Sequence, residues 1–141
     1  MTPERAILLP GAAMAALTLV VWLRMYAQRI GQMRRERIHP QAVATSAQVA
    51  ARLTDSAAAD NFRNLFELPV LFYAALGTAA IAGLVDGWTL GLAWAFVALR
   101  VVHSAIQCST NRVMHRFLAY SAGAVVLWTL WATLAIGLLR G

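Results

Sequence analysis

Residues 60–85 read DNFRNLFELPVLFYAALGTAAIAGLV. Asp60, Arg63, Asn64 and Glu67 are followed at once by an uncharged run from Leu68 to Val85. A run of about 18 apolar residues is long enough to cross a hydrocarbon layer of about 30 Å as helix. Polar residues crowded at one end of such a run mark where a chain enters a bilayer. Three more segments have the same character. Ala6 to Leu23 carries no charge and ends at Arg24, and Trp88 to Ile106 is interrupted only by Arg100 and His103. Phe117 to Leu139 is the longest. The expected architecture is all-α: a single domain over residues 1–141, an integral membrane four-helix bundle with spans at approximately 6–28, 57–85, 88–108 and 113–139.

Composition agrees with that reading. Of 141 residues, 60% are hydrophobic and 13% charged, with a mean hydropathy of +0.63, whereas soluble domains carry about 25% charged residues. The first run is read as a retained helix, because its positive charges follow the apolar stretch instead of preceding it. All 12 basic residues are arginine. Seven lie between the first and second spans (Arg24, Arg29, Arg34, Arg35, Arg37, Arg52 and Arg63) and Arg112 and Arg116 lie between the third and fourth. The positive-inside rule therefore predicts cytoplasmic basic loops and both termini outside. The net charge of +6 flanks apolar spans and sits in no polar domain with exposed aromatics, so nucleic acid is not an expected partner. One cysteine, Cys108, excludes an internal disulfide, and His39, His103 and His115 have no ligand spacing, so no metal site is expected.

The first loop is broken at His39-Pro40, since a residue before proline avoids helix. Thr54 or Asp55 is placed to cap a helix that continues through Ala57-Ala58-Ala59 into the second span. Ala75, Ala79 and Gly83 recur at a spacing that lets helix backbones approach closely in lipid. Trp128 and Trp131 fall inside the fourth run and are read as packing residues.

At 100° per residue, Asp60, Arg63, Asn64 and Glu67 share one side of a helix. Pro69 removes an amide donor just beyond them, which predicts a kink or hydrated pocket. Arg100, His103, Ser104 and Gln107 form a matching stripe on the third span, and Arg112, Arg116 and Tyr120 another at the start of the fourth. Packed as a bundle, a carboxylate-bearing face meets two arginine-bearing faces and would suit a small soluble anion that carries an ammonium group. The simpler reading is that Glu67 and Arg100 pair to bury each other's charge.

Four spans, the run Asn61-Phe62-Arg63-Asn64-Leu65-Phe66-Glu67-Leu68-Pro69-Val70-Leu71-Phe72-Tyr73, and the Arg100-x-x-His103 stripe before Arg112 and Arg116 resemble the membrane-associated proteins in eicosanoid and glutathione metabolism (the MAPEG family), most of all its bacterial branch. The resemblance covers nearly the whole chain. It implies a homotrimer in the bacterial inner membrane that binds glutathione as co-substrate between adjacent subunits. Carried over by position, Arg63, Asn64, Glu67, Arg100, His103 and Tyr120 would bind the tripeptide. Arg116 would face the sulfur as the catalytic residue. An arginine at the end of the first helix, Arg29 or Arg34, would reach a carboxylate. The activity implied is a glutathione-dependent transferase or peroxidase acting on a lipophilic small molecule. Gln107 stands where several members of the family carry a tyrosine, which favours the alternative of a non-catalytic membrane protein with a structural or other ligand-binding role.

Overall fold

The computed structural model describes residues 2–140. Among them every regular element is helical: α1 (Pro3–Ala6), α2 (Leu8–Arg35), α3 (Ser46–Arg52), α4 (Ala57–Asn64), α5 (Leu68–Ile81), α6 (Gly87–Gln107) and α7 (Val113–Arg140), with a short 3-10 turn at Pro40–Val43. Four segments are long and apolar enough to span a membrane: Pro3–Arg35, Ala57–Ile81, Gly87–Gln107 and Val113–Arg140. The protein is thus an all-helical, four-span membrane protein.

Local chemistry sets the helix ends. Arg37 has φ 51° and closes α2, and Gly83 has φ 67° just beyond α5. A residue without Cβ takes that left-handed conformation at no steric cost. α6 starts on a capping box: Asp86 Oδ1 accepts from the Thr89 amide at 2.7 Å, and the Asp86 amide donates to Thr89 Oγ1 at 2.9 Å. The Thr89 amide and then the Thr89 hydroxyl, both donating to Oδ1, hold the Asp86 carboxyl below the usual carboxylate range.

The helices run up and down. At one end the Trp88 indole lies 3.4 Å from Thr133 Oγ1. At the other, arginine-rich end the Arg24 guanidinium donates to the Cys108 carbonyl and satisfies an open acceptor at the end of α6. The core between them is apolar: Met14 and Val21 of α2, Phe72, Ala75 and Ala79 of α5, Phe96 of α6, and Leu127, Leu130 and Leu134 of α7. Phe72 stacks on Phe96 at 4.5 Å between centroids. Ala75 and Ala79 are buried within this one chain, whereas Gly83 lies outside the stripe at the exposed turn. The Trp131 indole donates to the Leu71 carbonyl, and Trp128 is 55% exposed on the outer side of α7 in the single chain.

Two local expectations are corrected. The second span does not run on as one continuous helix: residues 65–67 break it at the kink expected next to Pro69, with Glu67 at φ −95° and ψ −105°. Pro69 lies in the first turn of α5, where its missing N–H costs nothing. Thr54 does not cap α4 either. Its hydroxyl joins Gln32, whose buried amide also reaches Glu36 and the Arg52 carbonyl and so fastens the first loop to the end of α2.

Candidate functional site

The break at residues 65–67 re-aims the polar side of α4 and α5. Asn64, on the last turn of α4, points inward and donates to Gln107 Oε1 at 3.0 Å. Three residues earlier, the buried Asn61 accepts from Ser104 Oγ at 3.2 Å and donates to Cys108 Sγ at 3.4 Å. Two amides thus fix α4 against the last two turns of α6, with no charge involved.

His103 sits at the centre of this network. Its Nδ1 lies 3.1 Å from the Arg116 carbonyl and its Nε2 lies 2.9 Å from the Gln107 amide. A carbonyl only accepts, so Nδ1 carries a proton in either charge state. In the imidazolium, the Gln107 oxygen accepts from Nε2 and from Asn64 together. In the neutral ring, Nε2 accepts instead, and the Gln107 amide turns its NH₂ toward it.

Asn64, His103, Arg116 and Tyr120, with Val113 and Phe117, line a cavity of about 190 Å³. Tyr120 donates to Glu67 Oε2 at 3.2 Å, which places the carboxylate beside this cavity. The Arg116 guanidinium is held by Asn111 Oδ1 at 2.7 Å. Asn111 itself has φ 48°, a left-handed turn that brings its amide back toward α7.

Arg63 and Arg100 lie elsewhere. Arg63 is exposed and paired with Asp60 at 3.6 Å, the one ion pair among the described residues. With Asp60, Asp55 and Arg29 it lines a larger cleft of about 530 Å³ under the first loop, whereas Arg34 faces a different groove. Arg100 is 1% exposed and stands behind Tyr120, its guanidinium carbon 4.8 Å from that ring and 5.3 Å from Phe96. None of its three nitrogens makes a hydrogen bond of good geometry, although the Tyr120 hydroxyl and the Glu67 charge both act on it. The direct Glu67–Arg100 pair expected from the helical stripes is therefore not formed, because the Tyr120 ring lies over the guanidinium and its hydroxyl takes the carboxylate.

Sequence reasoning overlooked Asn61 and gave Gln107 no structural part. The signal was present: Ser104 of α6 and Cys108, just past its end, stand four residues apart, as do His103 and Gln107, and these pairs face Asn61 and Asn64.

A model described as the MAPEG family matches residues 7–136 of the 141. No curated protein and no solved structure matches the chain. A helical membrane protein whose second, third and fourth spans converge on one cavity, matched by that model over nearly its whole length, belongs to the MAPEG family.

Proposed function

We propose that this protein is a glutathione-dependent transferase or peroxidase acting on lipophilic electrophiles within the membrane. The observation that carries this reading is the convergence of Asn64, His103, Arg116 and Tyr120 on one cavity, with Glu67 bonded to Tyr120 beside it. An exposed carboxylate next to a cavity suits the ammonium end of a γ-glutamyl tripeptide. A guanidinium in the same wall suits a thiolate, since a nearby cation favours the ionised sulfur over a free thiol of pKa about 8.5.

Glutathione, when bound, supplies the nucleophilic sulfur. Arg116 holds the negative charge on that sulfur, and for this it exchanges its bond to Asn111 for one to the ligand or uses its remaining donors. Glu67 takes the amino group on the carboxylate oxygen that the Tyr120 hydroxyl leaves free, and Asn64 offers an amide to the peptide backbone. His103 keeps its ring fixed between Arg116 and Gln107. Arg63 and Arg29, at the neighbouring cleft, are available to a ligand carboxylate.

A cavity of 190 Å³ is smaller than the ligand pockets of about 300–1,000 Å³ that bury most of a small molecule. Phe66 and Phe117, 58% and 60% exposed, are large apolar side chains left uncovered on the second and fourth spans. The small cavity supports a homotrimer in which a second protomer completes the wall, and the two phenylalanines are open to that protomer or to lipid. The arginine distribution supports insertion in a bacterial inner membrane with this end in the cytoplasm and both termini outside.

The test is thermal stability of the detergent-solubilised protein with and without millimolar glutathione. Stabilisation is expected, and Arg116→Ala or Glu67→Gln should remove it. No shift at any concentration overturns the enzyme reading. One observation favours a second reading, a non-catalytic relative: Asn64, His103 and Gln107 satisfy one another without a ligand, and Arg116 is already held by Asn111. Thiolate absorbance in the ultraviolet separates the two. It rises on binding to an enzyme and stays flat in a non-catalytic binder.

A further inference from the structure

Arg100 is the least satisfied group in the fold. It is 1% exposed, it lines none of the cavities described above, and its three guanidinium nitrogens make no hydrogen bond of good geometry. No carboxylate stands within ion-pair distance of it, and the Glu67 charge reaches it past Tyr120. Buried cations are ordinarily paired or hydrogen-bonded, so one with neither calls for an explanation.

What surrounds the guanidinium is aromatic. Phe96, one turn earlier on α6, lies at 5.3 Å, and Tyr120 of α7 lies at 4.8 Å. A cation over a ring face is attracted to the ring's negative quadrupole, most strongly where water is absent. The attraction acts on the ring as much as on the cation. Tyr120 is therefore held from beneath by Arg100, flanked at 5.8 Å by His103, and pinned at its hydroxyl by Glu67. With its ring and hydroxyl both fixed, Tyr120 has one orientation, and the carboxylate it bonds has one as well. The second carboxylate oxygen of Glu67 stays free for a ligand.

We propose that Arg100 is a positioning residue that acts through Tyr120, holding the phenol so that its hydroxyl orients Glu67 at the cavity, and that it does not itself touch the bound tripeptide. The proposal rests on the glutathione reading for its functional consequence, but its structural half stands alone. It differs from the expectation drawn from the α6 stripe, in which Arg100 and His103 both face the ligand. In the fold His103 lines the cavity, and Arg100, one turn deeper, has Tyr120 between itself and it.

Two measurements test the two halves. The first needs no ligand. The chain has 3 tyrosines, Tyr26, Tyr73 and Tyr120, so 3-fluorotyrosine labelling yields a fluorine spectrum in which Tyr120→Phe identifies the resonance of residue 120. Arg100→Met should shift and broaden that line and leave the other two in place, and Arg100→Lys, which keeps the cation, should return it toward a single sharp line. An unchanged Tyr120 resonance in Arg100→Met overturns the positioning role.

The second is a glutathione titration by calorimetry across a double-mutant cycle of Arg100→Met and Tyr120→Phe. Phenylalanine retains the ring and loses the bond to Glu67. Arg100→Met should weaken binding about three- to tenfold in the wild-type background and less than about twofold in the Tyr120→Phe background, the non-additivity expected of residues that act in series. Equal losses in both backgrounds mean that Arg100 meets the ligand directly, which overturns the proposal. If the wild type binds no glutathione, the glutathione reading falls, and the fluorine spectra still decide whether Arg100 orients Tyr120.

Discussion

Replacing Arg100 by methionine should make this protein more stable. The guanidinium is 1% exposed, with no hydrogen bond of good geometry and no carboxylate within ion-pair distance. Keeping an ion out of water in a protein interior costs several kcal/mol even after relaxation. Against this stand two ring contacts, at 4.8 and 5.3 Å, each worth about 2 kcal/mol when desolvated. With the cost taken as about 5–7 kcal/mol and the ring contacts as about 4, the balance favours removal by about 1–3 kcal/mol. Methionine has a flexible unbranched side chain that fills irregular gaps and makes favourable sulfur–aromatic contacts with the same two rings. At about 2–4 °C per kcal/mol for a chain of this size, the melting temperature should rise by roughly 2–12 °C. Tryptophan fluorescence during heating in a mild detergent measures it. A fall of more than about 5 °C would refute the reasoning, because it would mean that the cation has a stabilising partner worth more than its burial costs.

Other outcomes follow from the packing. Thiolate absorbance on adding glutathione should rise in the wild type and stay flat in Arg116→Ala, and equal absorbance in both would remove Arg116 from its role. Gly137→Val should destabilise by about 1–3 kcal/mol, since a Cβ there would stand 3.0 Å from both Leu84 methyls, and a melt within error of wild type would contradict that fit. Asp86→Ala should cost about 1 kcal/mol at neutral pH by losing the α6 cap. Because the folded Asp86 carboxyl is held below its ordinary value, the contribution of this group is present above the unfolded value and lost as pH falls through the folded one. The difference between wild type and Asp86→Ala should therefore shrink in acid. Gln32→Ala removes the amide that fastens the first loop to α2, so limited proteolysis around residues 40–55 should quicken while the four spans stay protected.

How much of this was legible beforehand differs between fold and site. Four long apolar runs, only the third of them carrying charge within it, state a four-span protein, because lipid leaves few other options for such segments. The residues of the cavity were legible as helical stripes, and Asn64, His103, Arg116 and Tyr120 do converge. Periodicity could not reveal the break at residues 65–67. A helical wheel assumes one axis, and the unwound residues separate Glu67 from the α4 axis that carries Asp60, Arg63 and Asn64. Nor could it reveal that Tyr120 stands between Glu67 and Arg100, since that depends on how far α7 slides along α6. Opposite charges on facing stripes suggest a pair, but an aromatic hydroxyl placed between them took the carboxylate instead.

The break in the second span also fixes depth. α5 has 14 residues, hence a length of about 21 Å, some 9 Å short of a hydrocarbon slab of about 30 Å. α6, at 21 residues, spans the slab in full. With the far end of α5 at the opposite boundary of the slab, the unwound turn and Glu67 would lie below the headgroup plane. Under the proposed function, a lipophilic compound among the acyl chains would then meet that depth sideways, without passing the headgroups. Its encounter rate would follow its oil–water partition ratio more than its aqueous concentration.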